Sequence, residues 1–179
     1  GKKKSIDQIL VTTSTLSSSN IIKNIKFKKT VHQFYPIDHF YFTNKFLNYW
    51  KPNIAIFIES EIWPSMFKEI KFKNIPLILL NARLTKKTFK NWFKIKNFSK
   101  TIFDKITIAY PQNKETTKFL KKLSNVKIKK LGNLKFSEVD KDNYSKINNN
   151  LKYQLSKKKI WVASSTHKSE EIFCVKAHM

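Results

Sequence analysis

Glycine is almost missing from this chain: only Gly1 and Gly132 occur in 179 residues. That scarcity excludes a Walker-type phosphate loop and a GxGxxG dinucleotide fingerprint, because both need glycines to bring backbone close to phosphate. The single cysteine, Cys174, excludes an internal disulfide and a cysteine-based zinc cluster. Its apolar neighbours predict a core-filling role. No apolar run approaches the roughly 18 residues that suggest a bilayer-spanning helix. The basic start, Gly1-Lys2-Lys3-Lys4, is interrupted by Ser5-Ile6-Asp7-Gln8 before a signal-type apolar core can begin. There is no initial methionine either, and the chain reads as a segment cut from something longer. Acidic residues are few, 12 against 36 Lys+Arg, for a net charge of +24. Such an excess attracts polyanions and anionic membrane surfaces. Arginine is nearly absent, however, and the lysines are scattered through a sequence also rich in Asn and Ile. Compositional bias accounts for that pattern, and no dedicated nucleic-acid site is expected, since base readout leans on Arg and Asn in defined elements.

What is present is a core: 41% hydrophobic and 14% aromatic residues argue against general disorder. The chain is organised around residues 53–83, which run from an apolar stretch through a polar turn and an amphipathic segment to a second apolar stretch. That is the pattern of a βαβ unit. Residues 54–58 are short and Ile-rich, as expected of a parallel strand covered on both faces. Its end delivers Glu59, Ser60 and Glu61 to one place. Asn81 and Arg83 follow the second run, residues 77–80, and a right-handed crossover would put both strand ends on one edge of the sheet. Ligands of open α/β sheets bind beyond the carboxyl ends of the strands.

The same alternation extends in both directions. Residues 9–13 predict a strand, followed by a hydroxyl-rich turn (Ser14, Thr15, Ser17, Ser18, Ser19) suited either to capping a helix through about Lys26 or to holding a phosphate or sugar. Residues 30–35 predict a second strand, closed by Pro36 and Asp38, and residues 39–50 a crossover helix. His32 and His39 have no third ligand nearby, so no metal is expected. After Glu61, Pro64 suits the first turn of a helix, and Trp63 is either a packing residue or an aromatic wall for a ligand. Residues 84–98 predict one basic amphipathic helix whose Phe89, Trp92, Phe93 and Phe98 either pack on the sheet or lie on a membrane. A strand at 106–109, a helix at 112–122 and a strand at 126–130 follow. The polar stretch 137–150 marks a boundary. Beyond it residues 159–163 start a new strand, and Glu170 and Glu171 open a helix. The fold class is therefore α/β: a Rossmann-like parallel sheet with helices on both faces, then the first βα unit of a second domain. The expected division is 1–137, a polar linker or helix over 138–158, and 159–179.

Four motifs in order carry a resemblance: ESEIWP (residues 59–64), NARL (81–84), GNLKF (132–136) and ASSTHKSEE (163–171). Together they resemble the motif series of the 3-deoxy-D-manno-octulosonic acid (Kdo) transferases, over nearly the whole chain from Val11 onward. The resemblance implies the N-terminal, acceptor-side domain of a GT-B glycosyltransferase and the start of its donor domain. It implies transfer of Kdo from CMP-Kdo to the lipid A precursor (lipid IVA) in lipopolysaccharide assembly, with inversion, without metal or cofactor, at the cytoplasmic face of the bacterial inner membrane. In that family a Gly-Glu motif carrying the presumed general base precedes the segment matching residues 11–13. The chain begins too late to include it, or the membrane anchor, and is expected to be inactive alone. Ser169 stands where the family pattern has glycine.

Displacement at an anomeric carbon needs a base, stabilisation of the leaving phosphate and a positioned acceptor. Glu61 is the candidate catalytic carboxylate, either orienting the acceptor hydroxyl or stabilising positive charge at the sugar. A competing role is capping the next helix. Glu59, Trp63, Asn81 and Arg83 are the candidate acceptor-binding residues, with Arg83 either gripping a phosphate or pairing with Glu61. Ser165, Thr166, His167, Glu170 and Glu171 are the candidate donor-binding residues, at a strand-to-helix turn suited to the CMP phosphate. The alternative from a different class is a basic α/β module that binds nucleic acid or anionic lipid without chemistry.

Overall fold

A computed structural model of the chain describes residues 6–24, 28–134, 148–157, 164, 166 and 170–178. They fall in two compact units, Gly1–Glu138 and Val139–Met179. The first unit alternates strand and helix except where two helices follow β4: β1 Ile9–Thr13, α1 Leu16–Asn24, β2 Thr30–Phe34, α2 Phe40–Trp50, β3 Ala55–Ile58, α3 Pro64–Phe72, β4 Leu77–Ala82, α4 Lys86–Lys94, α5 Lys96–Phe103, β5 Ile108–Pro111 and α6 Lys114–Leu123. All the strand pairs among the described residues are parallel, in one ladder β1-β2 and another β3-β4-β5. This is the helix-flanked parallel architecture of a Rossmann-like domain.

The core forms where β4 lies between its two neighbours. Leu77, Leu79 and Ala82 of β4 are buried with Met66, Phe67 and Ile70 of α3, Phe103 of α5, and Leu120 and Leu123 of α6. β3 is different from expectation. Its Ala55 and Phe57 are half-buried, whereas Ile56 and Ile58 on the opposite face are each 53% exposed. Among the described residues, helices cover only one face of this strand.

Two further expectations are corrected. The single helix expected over residues 84–98 is two helices, broken at Ile95 (φ −115°, ψ 47°). The Ser99 hydroxyl stabilises the break by donating toward the carbonyls of Trp92 and Ile95. The aromatic stripe accordingly divides. Phe89 stacks on Phe119 (centroids 4.2 Å, planes 8° apart) and Trp92 meets Phe103 edge-on, while Phe93 and Phe98 are exposed. Residues 126–130 form no strand; they contribute one parallel bridge, Ile128 with Ala109.

Local caps follow from the sequence. Thr15 Oγ1 accepts the Ser18 N–H at α1, His39 Nδ1 accepts the Tyr41 N–H at α2, and Asn113 Oδ1 accepts the Thr116 N–H at α6. His32 bonds Thr13 Oγ1 across the first ladder (2.9 Å). The second unit has helices α7 Asn149–Ser156 and α8 Glu170–His178. On α8 Cys174 is only half-buried, between exposed Phe173 and Val175, and so does not fill a core within this unit. The strand expected at 159–163 lies outside the described residues.

Candidate functional site at the ends of β3 and β4

Glu59, the first residue past β3, and Asn81, the last but one of β4, both lie in the left-handed region, at φ 59° and φ 50°. An L-residue there costs on the order of 1 kcal/mol, least for Asn. At Asn81 the cause is visible: the pairing of β4 with β5 slips between Leu79 and Ala82, so that two residues of β4 face one of β5. At Glu59 the turn is tied to the neighbouring strand. Its N–H donates to Leu80 O (3.0 Å), its carbonyl accepts the Arg83 N–H (3.2 Å), and the Ser60 hydroxyl donates to Arg83 O (2.8 Å). The ESE and NAR segments are thus held together by backbone hydrogen bonds.

Glu61 is exposed, and its Oε2 accepts the indole N–H of Trp63 at 2.8 Å. It does not cap α3. Pro64 occupies the first position there and has no N–H to satisfy, the Phe67 N–H donates to Trp63 O, and the Ser65 and Met66 N–H groups donate to Asp38 Oδ2 (3.1 Å) and Oδ1 (2.8 Å). A carboxylate more than 25 positions upstream in sequence has taken the capping role. That leaves Glu61 outside the helix's own accounting.

Tyr35 comes from the same turn as Asp38. Its ring lies against Trp63 (centroids 4.8 Å, planes 35° apart) and meets Phe57 edge-on, and its hydroxyl is buried without a hydrogen-bond partner. Burial, reinforced by the negative charges of Asp38 and Glu61, pushes its phenol well above the usual tyrosine range. Tyr35 and Asp38 were not legible as site residues. The one trace is their place just past a strand end, at Tyr35-Pro36-Ile37-Asp38.

The other candidates divide. Arg83 is exposed and makes no ion pair with Glu61, so the pairing of the two offered by the sequence is not made. Asn81 is buried at 4% exposure, and its Oδ1 accepts the Leu134 N–H (3.3 Å), which ties the GNL segment to the end of β4. In the second unit Thr166 Oγ1 donates to Glu171 Oε1 (3.0 Å), with Glu170 and Glu171 in the first turn of α8, where carboxylates suit the helix dipole. Ser165, His167 and Ser169 lie outside the described residues. Among the described residues no three His, Cys, Asp or Glu side chains group as metal ligands, and no helix is long and apolar enough to cross a membrane.

Comparison with known proteins gives this arrangement its family. Residues 2–138 match the family described as 3-Deoxy-D-manno-octulosonic-acid transferase (kdotransferase). A 3-deoxy-D-manno-octulosonic acid transferase of Rickettsia typhi is 36% identical over 172 residues, covering 92% of this chain and 35% of the relative. A probable mitochondrial counterpart of Arabidopsis thaliana is 32% identical over 177 residues, 95% of this chain and 40% of its own. The Haemophilus influenzae transferase is 28% identical over 188 residues, with the same coverage of 95% and 40%. The chain therefore spans well under half the length of these relatives. Across that span, it belongs to the 3-deoxy-D-manno-octulosonic acid transferase family of glycosyltransferases.

Proposed function

We propose that this chain is the acceptor-side portion, with the entry to the donor side, of an enzyme that transfers Kdo from CMP-Kdo to the lipid A precursor. In that reaction an acceptor hydroxyl oxygen attacks the anomeric carbon of Kdo from the face opposite the leaving group. The bond from that carbon to the CMP phosphate oxygen breaks, CMP leaves with the electron pair, and the configuration inverts. The acceptor proton passes to a carboxylate base, and no metal or cofactor takes part.

The observation that carries this reading is Glu61: a carboxylate at a strand end, free of helix capping, with one oxygen held by Trp63. It serves to orient the acceptor hydroxyl or to stabilise the positive charge that develops on the sugar. Arg83, exposed beside it in the paired ESE and NAR turns, takes a phosphate of the acceptor. Thr166, Glu170 and Glu171, with Ser165 and His167, serve the donor nucleotide. A net charge of +24 suits a phosphorylated lipid on the anionic cytoplasmic face of the bacterial inner membrane. Nucleic acid is not among the expected partners.

The test is Glu61→Gln in a full-length transferase carrying this sequence, assayed with CMP-Kdo and lipid A precursor. A loss of kcat of roughly a hundredfold or more is expected for a group acting in the transition state. Unaltered turnover removes Glu61 from the site.

A further inference from the structure

Glu61 sits on an exposed turn, where a carboxylate ordinarily samples several rotamers. Here it does not stand alone. Trp63 immediately precedes Pro64, which disfavours helical backbone at that position, and it is extended at φ −121°, ψ 96°. Its indole is then fixed from behind by a chain of rings that runs out of the core: buried Phe67 against Phe57 (4.9 Å, 71°), Phe57 against Tyr35 (6.3 Å, 82°), and Tyr35 against Trp63 (4.8 Å, 35°). Asp38 fastens the Tyr35 turn to the first turn of α3, so backbone and ring contacts hold the same two segments together. The outer end of this series is the indole N–H, 2.8 Å from Glu61 Oε2.

We propose that Trp63 is the positioning residue of Glu61: the ring series orients the indole, the indole N–H holds one carboxylate oxygen, and the other is presented to a hydroxyl-bearing ligand. The proposal rests on the reading of Glu61 as a site residue. It assigns Trp63 a role separate from lining a pocket, because the group that matters is its N–H and not its ring face. Positioning of this kind is expressed in turnover more than in binding, since misplacement of a reacting group by about 1 Å costs up to roughly a hundredfold in rate.

Trp63→Phe keeps an aromatic ring against Tyr35 and removes the N–H. In the full-length transferase, kcat is expected to fall about tenfold or more with KM changed less than about threefold. In this chain, the 15N–1H indole resonance of Trp63 is expected to move on Glu61→Ala, and its hydrogen exchange to quicken. An unchanged kcat in Trp63→Phe, or a rise in KM alone, overturns the proposal, as does an indole resonance indifferent to Glu61→Ala. Failure of the functional reading looks different: Glu61→Gln then keeps full turnover while the indole resonance still responds to Glu61→Ala.

Discussion

Replacing Asp38 by Ala isolates the contact that releases Glu61 from helix capping. The change removes both acceptors of the Ser65 and Met66 N–H groups, which lie 3.1 and 2.8 Å from the carboxylate. Pro64 has no N–H, and the Phe67 N–H is already committed to Trp63 O, so two donors, on half-buried Ser65 and buried Met66, lose their partners at once. Losing a helix cap costs about 0.5–2 kcal/mol, and a hydrogen bond to a charged group about 1.5–3 kcal/mol. Because solvent reaches part of this turn, about 2 kcal/mol is expected for the pair. For a domain of this size that corresponds to a fall in Tm of very roughly 6–8 °C. Asp38→Asn, which keeps one acceptor oxygen, is expected to lose about half as much. Urea unfolding followed by tryptophan fluorescence measures both. Glu61→Gln, in the same assay, is expected to stay within about 0.5 kcal/mol of the parent, as an exposed side chain should. If Asp38→Ala also stays within about 0.5 kcal/mol, or Glu61→Gln proves the more damaging change, the assignment of the cap is wrong. The argument that frees Glu61 for function falls with it.

Tyr35→Phe deletes a buried hydroxyl that has no partner and should raise stability by about 1 kcal/mol at neutral pH; a loss would show that the hydroxyl is satisfied in the folded protein. Because burial and the nearby Asp38 and Glu61 charges raise the folded phenol pKa, the unfolded chain gives up its proton first as pH rises above the ordinary tyrosine value of about 10. The parent should therefore lose stability through that alkaline range more steeply than Tyr35→Phe, as followed by unfolding midpoints at successive pH values. Asp104 runs the other way. Partial burial pushes its carboxyl up, but the hydrogen bond from Lys100, the Asn125 N–H at 2.8 Å, and the charges of Lys100 and Lys105 outweigh it and lower the pKa. Its contribution is present above the ordinary carboxyl value of about 4 and lost as pH falls through the lowered folded value. Asp104→Asn should flatten that part of the acid limb, and an unchanged acid limb refutes the pairing.

The strands were legible where local pattern and tertiary role agree. β1 matches its expected residues, 9–13, and the βαβ unit around β3 and β4 falls where continuous apolar runs alternate with an amphipathic segment. The failures have a common cause. The break at Ile95 is invisible to periodicity because Trp92, Phe93 and Phe98 continue the apolar face across it, and the Ser99 hydroxyl that supports the turn reads as an ordinary polar residue. The stretch 126–130 has strand composition, yet it meets β5 at a single bridge, where Lys127 O and the Lys129 N–H bond Ala109, since strand propensity reports fit to a half-buried surface and not the presence of a partner. Cys174 has apolar neighbours in sequence, but Phe173 and Val175 are themselves exposed on α8.

The candidate site repeats this division between local and distant information. That Glu59, Glu61, Asn81 and Arg83 lie at or just past strand ends is a local fact, readable because strand ends carry the ligand sites of open α/β sheets. What each can do there depends on distant partners. Asn81 is buried at a bulge in the pairing with β5, and its Oδ1 accepts the Leu134 N–H. Glu61, by contrast, is the carboxylate closest in sequence before α3, two residues ahead of its N-cap Trp63. Only because Asp38 reaches α3 from the β2–α2 turn is its carboxylate left to Trp63 and to solvent. Charge alone would not separate the two acids. The geometry does, since one carboxylate spends both oxygens on backbone N–H groups and the other accepts an indole N–H on one oxygen alone.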